Sequence, residues 1–137
     1  MGGSSGVLFG TLFISGLDVI KDKKALNGVD IVAFLTKGIN GIIRRGKAKA
    51  GDKTMVDALL PAQSAMESAL KNTDDIGQIL KVAETGALQG VEATKNMAPR
   101  LGRSKNFREK ALGWPDPGAI SVSILFGGLA KSLSHEV

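Results

Sequence analysis

The sequence predicts an all-α domain, and three observations carry that prediction. Apolar residues recur three and four positions apart through several long segments, no stretch of useful length alternates apolar and polar residues, and 18 glycines in 137 residues cluster where the helical period breaks. Glycine is close to twice its ordinary frequency, and its clustering marks turns. The length suits a single core, and 43% hydrophobic against 23% charged residues is a globular composition. No internal repeat is visible, so residues 1–137 are read as one domain.

The elements follow in order. Val7, Leu8, Phe9, Leu12, Phe13, Ile14, Leu17, Val19 and Ile20 cover almost every face of a first helix, which predicts a central position. After a basic turn, Val29, Ile31, Val32, Leu35, Ile39, Ile42 and Ile43 mark an amphipathic second helix. It ends near Arg44-Arg45-Gly46, where two cations suit the negative helix end. Residues 46–53 form a polar loop, and Thr54-Met55-Val56-Asp57 has the Thr-x-x-acid form of a helix start. The third helix carries Met55, Leu59, Met66 and Leu70, with a kink or break expected at Pro61. Asn72 to Asp75 is a capping turn before a fourth helix through Ile76, Leu80, Val82, Leu88 and Val91 to about Met97. Residues 98–118 hold three of the four prolines and read as loop with at most a short helix. Asp116-Pro117 then opens a last helix, with Asp as N-cap and Pro at the first helical position, running through Ile120, Val122, Ile124, Leu125, Phe126 and Leu129.

Composition excludes several chemistries. Zero cysteines remove disulfide scaffolds and thiolate zinc sites, and a single histidine, His135, argues against a His-based metal site or a Ser-His-Asp triad. Metal or acid–base chemistry would have to run on carboxylates. The net charge is +5, but cations alternate with acids along most of the chain and aromatics are only 4%, which argues against a nucleic-acid partner. The apolar run from Val7 has no preceding Lys or Arg and no cleavage site after it; extended to Ile20 it is short for a membrane span and contains Asp18. Gly6 stands where a myristoylation pattern wants Ser or Thr. The expectation is a soluble, cytoplasmic chain without membrane contact.

Four short segments have chemical uses. Gly2-Gly3-Ser4-Ser5-Gly6 opens a helix with small residues that let backbone N–H groups approach an anion, although flexible Gly/Ser termini are common and the spacing is neither Rossmann nor Walker. Gly51-Asp52-Lys53-Thr54-Met55 could set an ammonium and a hydroxyl beside a phosphate, or be an ordinary capped turn. Gly102-Arg103-Ser104 offers a fork-shaped phosphate binder or a solvated loop arginine. Asp116-Pro117-Gly118 is explained by capping alone.

Their order and combination resemble the nucleotide-binding L subunit, or domain, of dihydroxyacetone kinases. The resembling segments are Gly2-Gly3-Ser4-Ser5-Gly6, Arg45-Gly46-Lys47-Ala48, Gly51 to Ala62, Gly102-Arg103-Ser104 and Asp116-Pro117-Gly118-Ala119, and the likeness runs from residue 1 to about 130. It implies an antiparallel helical barrel, here incomplete with about five to six helices, holding ADP or ATP at one end with its phosphates on magnesium. Carried over, Ser4 and Ser5 meet phosphate, with Gly2, Gly3 and Gly6 permitting the approach. Gly46 and Met55 line the nucleoside pocket, Arg103 pairs with phosphate charge, and Asp116, Pro117 and Gly118 close the pocket. Lys53 and Thr54 only support it. The resemblance implies a K-type partner subunit carrying dihydroxyacetone and, in phosphotransferase-system versions, a phosphocarrier protein.

Two departures qualify the likeness. The family's magnesium-binding aspartates precede the Gly-Gly-x-Ser-Gly motif, and here Met1 stands directly before it, so no metal ligand is assigned in this sequence. Lys105-Asn106-Phe107-Arg108-Glu109-Lys110 also departs from the family's aromatic and Gly-Glu-Arg pattern. The expectation is therefore weak or no catalysis unless the missing segment is supplied in trans. An incomplete barrel should also expose the 7–20 helix to a second copy or a partner chain. The competing reading is a non-catalytic helical interaction or regulatory module.

Overall fold

The computed structural model describes residues 3–100 and 110–133, with side chains of the first helix described from residue 10 onward. Among the described residues five helices are complete: α1 (Gly3–Ile20), α2 (Gly28–Arg45), α3 (Val56–Ala69), α4 (Ile76–Thr94) and α5 (Pro117–Leu133). No strand occurs among the described residues. The all-α prediction therefore holds, with α4 ending three residues before Met97.

Local chemistry sets the helix ends. Asn27 and Asp30 form a reciprocal capping box at α2: the Asp30 N–H donates to Asn27 Oδ1 at 2.9 Å and the Asn27 N–H to Asp30 Oδ2 at 3.0 Å. The turn between α3 and α4 reaches back to the same end, where Gly28 N–H donates to the Asp74 carbonyl and Val29 N–H to Asp74 Oδ1, both at 3.1 Å. Asp75 caps α4 by accepting from Gly77 N–H at 2.9 Å. Arg44 and Arg45 close α2, as the sequence predicts.

Helix α3 runs unbroken through Pro61, so of the expected kink or break the break does not occur. A proline frees the carbonyl four residues earlier, here that of Asp57, and Gly90 of α4 lies against that carbonyl. Gly86 lies likewise against the Pro61 carbonyl, so two missing side chains on α4 let it approach the α3 backbone closely around Pro61. The α3–α4 seam is lined by small residues, Ala58, Ala62, Ala83 and Ala87, all fully buried. Val82 and Leu88, assigned to the apolar stripe by size, point outward instead, as does Ile124 of α5.

Neighbouring helices run antiparallel. Gly16 of α1 lies against Phe34 of α2, Leu12 against Gly38, and Ser15 against Gly41. In α3 and α4 the order is Gly86 against Pro61 and Gly90 against Asp57. Thr94 of α4 meets Asp116 at the start of α5, and Gly127 of α5 meets Glu84. The core is built from Ile39, Ile42, Leu59, Met66, Ile79, Leu80, Val122 and Phe126, all buried.

The first helix is not central. It packs substantially on α2 alone, burying Leu12 and setting Phe13 on Phe34 with ring centroids 5.9 Å apart. Phe13 and Leu17 are exposed, and Ile14 is 76% exposed. Helix periodicity shows how much of a surface is apolar but not how many neighbours surround it, so the all-round apolar pattern overestimated its burial.

Candidate functional site

The antiparallel order brings the N-termini of α1, α3 and α5 and the C-termini of α2 and α4 to one end of the molecule. Three helix N-termini facing one way offer backbone N–H groups and positive dipole ends to an anion. Every predicted site residue that the structure describes lies at this end.

The second-to-third helix loop is built by two buried carboxylates. Asp57 accepts from Gly51 N–H at 2.7 Å through Oδ1 and from Thr54 N–H at 3.1 Å through Oδ2. Asp52 accepts from Lys49 N–H at 3.1 Å and faces Arg100 Nε at 3.5 Å. Thr54 Oγ1 accepts from Val56 N–H at 3.2 Å, so the Thr-x-x-acid signal does mark the start of α3, which begins at Val56.

Lys53, in the same loop, is 5% exposed and adopts φ +62°. Its ammonium donates to the carbonyls of Thr94 at 2.9 Å and Ala111 at 2.7 Å, and to that of Trp114. An ammonium has three donors, and all three are engaged. The reading in which this group meets a phosphate directly is thereby corrected. Thr94, fully buried, donates to the Val91 carbonyl at 2.6 Å and accepts from Asp116 N–H at 3.0 Å.

Asp116 caps α5 by accepting from Ala119 N–H at 2.9 Å. Burial raises its carboxyl above the ordinary carboxylate range and the charge of Asp57 adds to this, while the N–H groups of Ala119 and Gly118 and the Lys53 ammonium oppose it. Burial also lowers Lys53 from the usual lysine value, with Asp116 opposing. Gly118 lies over Met55: a Cβ there would stand 3.4 Å from Met55 N and Cβ and 3.0 Å from Asp116 Oδ2.

Met55, Asp116, Pro117 and Gly118 are thus brought together, although Met55 belongs to the buried core beneath Gly118. Gly46 terminates α2, its N–H donating to the Ile42 carbonyl at 2.9 Å, and starts the loop to Met55. Gly3, Ser4 and Ser5 form the first turn of α1; Arg103 lies outside the described residues. An open groove of about 450 Å³ flanks this end between α3 and α4, lined by Ala50, Pro61, Gly90 and Met97 among others, and holds none of the predicted residues. Sequence reading missed the organising roles of Asp57 and Thr94. Asp57 had a signal in the Thr-x-x-acid start; a buried threonine at a helix end has none.

Among the described residues no group of three or more metal-ligating side chains converges. The carboxylates nearest the site do not fit magnesium: both oxygens of Asp57 accept backbone N–H groups, both of Asp52 are engaged, and Asp116 caps its helix. No described helix is long and apolar enough to cross a membrane.

Fold and site define a class: an all-α antiparallel domain that gathers glycine-rich and acidic helix starts at one end. Within that class, the chain belongs to the DAK2 domain family, whose model matches residues 1–131. It is 33% identical over 130 residues to the PEP-dependent dihydroxyacetone kinase, ADP-binding subunit DhaL, of Escherichia coli K12, covering 95% of this chain and 62% of that protein. Human triokinase/FMN cyclase is 32% identical, covering 97% of this chain and 23% of that protein. The crystal structure of the C. freundii dihydroxyacetone kinase in complex with AMP-PNP and Mg2+ superposes with a TM-score of 0.63 at 32% identity, over 96% of this chain and 20% of that one. The chain thus spans less than two thirds of the length of these relatives.

Proposed function

We propose that this chain is a nucleotide-binding part of a dihydroxyacetone-kinase-type phosphotransferase. The observation that carries the reading is that motifs far apart in sequence, Gly3-Ser4-Ser5, Gly46, Met55 and Asp116-Pro117-Gly118, lie at the same end of the helices, with Gly118 and Asp116 set against Met55. The ADP-binding name of the E. coli relative and the AMP-PNP complex of the C. freundii enzyme support ADP or ATP as the ligand.

In this reading the first turn of α1 offers its backbone N–H groups and the Ser4 and Ser5 hydroxyls to phosphate, and Arg103 adds a bidentate cation. Gly46 and Met55 bound the nucleoside side, with Met55 as apolar floor, and Asp116, Pro117 and Gly118 close the pocket. The absent side chain of Gly118 permits a close approach. Phosphoryl transfer depends on positioning and charge neutralisation; magnesium supplies neutralisation when bound, but the described carboxylates do not fit it and no step is assigned through it. The acceptor is dihydroxyacetone on a K-type partner subunit, with a phosphocarrier protein as the recharging partner and the cytoplasm as the setting. The exposed α1 face is where a second copy or partner chain would pack.

Calorimetric titration of ADP with and without magnesium, beside Arg103→Ala, tests this. Binding that weakens about tenfold in the variant, the scale of a lost charge-assisted pair, is the expected result. Absence of binding under both conditions would sink the nucleotide reading and favour the non-catalytic interaction module.

A further inference from the structure

Lys53 combines two costs in one residue. A non-glycine residue in the left-handed region persists only where its surroundings hold it there, and an ammonium buried at 5% exposure has lost its water. A methionine of similar length would fill the same space without the charge. What the ammonium does that an apolar chain would not is join three backbone carbonyls from two separate segments. One is Thr94, at the last turn of α4; the others are Ala111, the helical residue just before the turn that leads to α5, and Trp114 within that turn.

That turn is held at further points. Gly113 N–H donates to the Lys95 carbonyl at 2.7 Å, Trp114 N–H to Ala111 at 3.1 Å, and Asp116 N–H to Thr94 Oγ1 at 3.0 Å. Two residues after the clamped Trp114 carbonyl comes Asp116, whose carboxylate sets the first turn of α5 and lies beside Gly118. The bonds therefore run from Lys53 through the 111–114 turn and Thr94 to the helix start.

We infer that Lys53 is a positioning residue: its ammonium fixes the 111–116 turn against the end of α4, so that Asp116-Pro117-Gly118 is held in the geometry the ligand meets. The inference deepens the nucleotide reading and rests on it for the identity of that ligand. It touches no substrate itself, because all three of its donors are spent on the protein.

The chain's one tryptophan, Trp114, is 70% exposed and lies in the clamped turn, so its fluorescence anisotropy reports the turn directly. The test uses the full chain and Lys53→Met, compared well below the unfolding transition with helix content checked by circular dichroism. Lys53→Gly, which drops the ammonium while removing the backbone cost of the positive φ, serves if the methionine variant does not fold. Expected are a fall in Trp114 anisotropy without nucleotide and, in the same variant, ADP binding weakened by tenfold or more. Unchanged anisotropy overturns the inference whatever happens to ADP. Lower anisotropy with unchanged ADP affinity overturns it too, by reducing Lys53 to a stability role. If the unsubstituted chain itself binds no ADP, the nucleotide reading fails, and the anisotropy comparison alone still decides whether Lys53 orders the turn.

Discussion

The small-residue seam between α3 and α4 gives the sharpest prediction. An alanine Cβ at position 86 would stand 2.6 Å from the Pro61 carbonyl oxygen, 3.0 Å from its carbon and 3.2 Å from Ala62 Cα. All three are backbone atoms, so no side chain can rotate away. Restoring ordinary contact needs the helices to part by about 0.7 Å, and α3 is backed by the fully buried Leu59 and Met66. Overpacking of this kind costs about 1–3 kcal/mol, against a gain of about 1 kcal/mol for replacing a mid-helix glycine by alanine. Gly86→Ala should therefore lose up to about 2 kcal/mol net. For 137 residues the unfolding entropy makes 1 kcal/mol worth about 3–4 °C, so the midpoint should fall by up to about 7 °C. Gly128→Ala on α5, where nothing lies within 4 Å of the new Cβ, should rise by about 3–4 °C from propensity alone. Thermal unfolding followed by circular dichroism reads both. A Gly86→Ala variant melting at or above the unsubstituted chain would refute the close approach of α3 and α4 at Pro61.

Other consequences are equally direct. Phe126, fully buried in α5, should cost about 3–5 kcal/mol when replaced by alanine, read by urea unfolding. Asn27→Ala removes one half of the α2 capping box and should cost about 1 kcal/mol in the same assay. Because the Asp116 carboxyl is raised by burial, the folded state binds a proton more tightly than the unfolded chain. Its contribution is then fully present below the unfolded carboxylate value and is lost as pH climbs through the folded one. Asp116→Asn, which keeps a cap, should thus gain relative to the unsubstituted chain as melting is measured from acid toward neutral pH. Asp30 has the opposite sign, since the Asn27 N–H and then Lys23 lower it. Its contribution is present above the unfolded value and is lost as pH falls through the folded one, so Asp30→Asn should flatten the acid limb of the melting curve.

The helices were legible because their signals are local. Asp75 and Asp116 cap the backbone within three residues of themselves, Arg44 and Arg45 sit at the end of their own helix, and Asp116-Pro117 opens α5 where the pattern places it. The stripe that each helix turns inward was less legible. Large apolar residues such as Val82, Leu88 and Ile124 face outward, while alanines and glycines face the α3–α4 seam, because a close helix pair selects for what does not fill space.

Sequence by itself determined the all-α class, the helix starts and the motif set that marks the DAK2 family, since capping, periodicity and motif order are written in consecutive residues. Only the tertiary structure decided that α1 lies at the edge, that α3 continues through Pro61, and that the Lys53 ammonium is consumed by the carbonyls of Thr94, Ala111 and Trp114. Those outcomes depend on which neighbours arrive from about 20 to 60 positions away, and a donor's partner is fixed by that arrival rather than by the residues beside it in the chain.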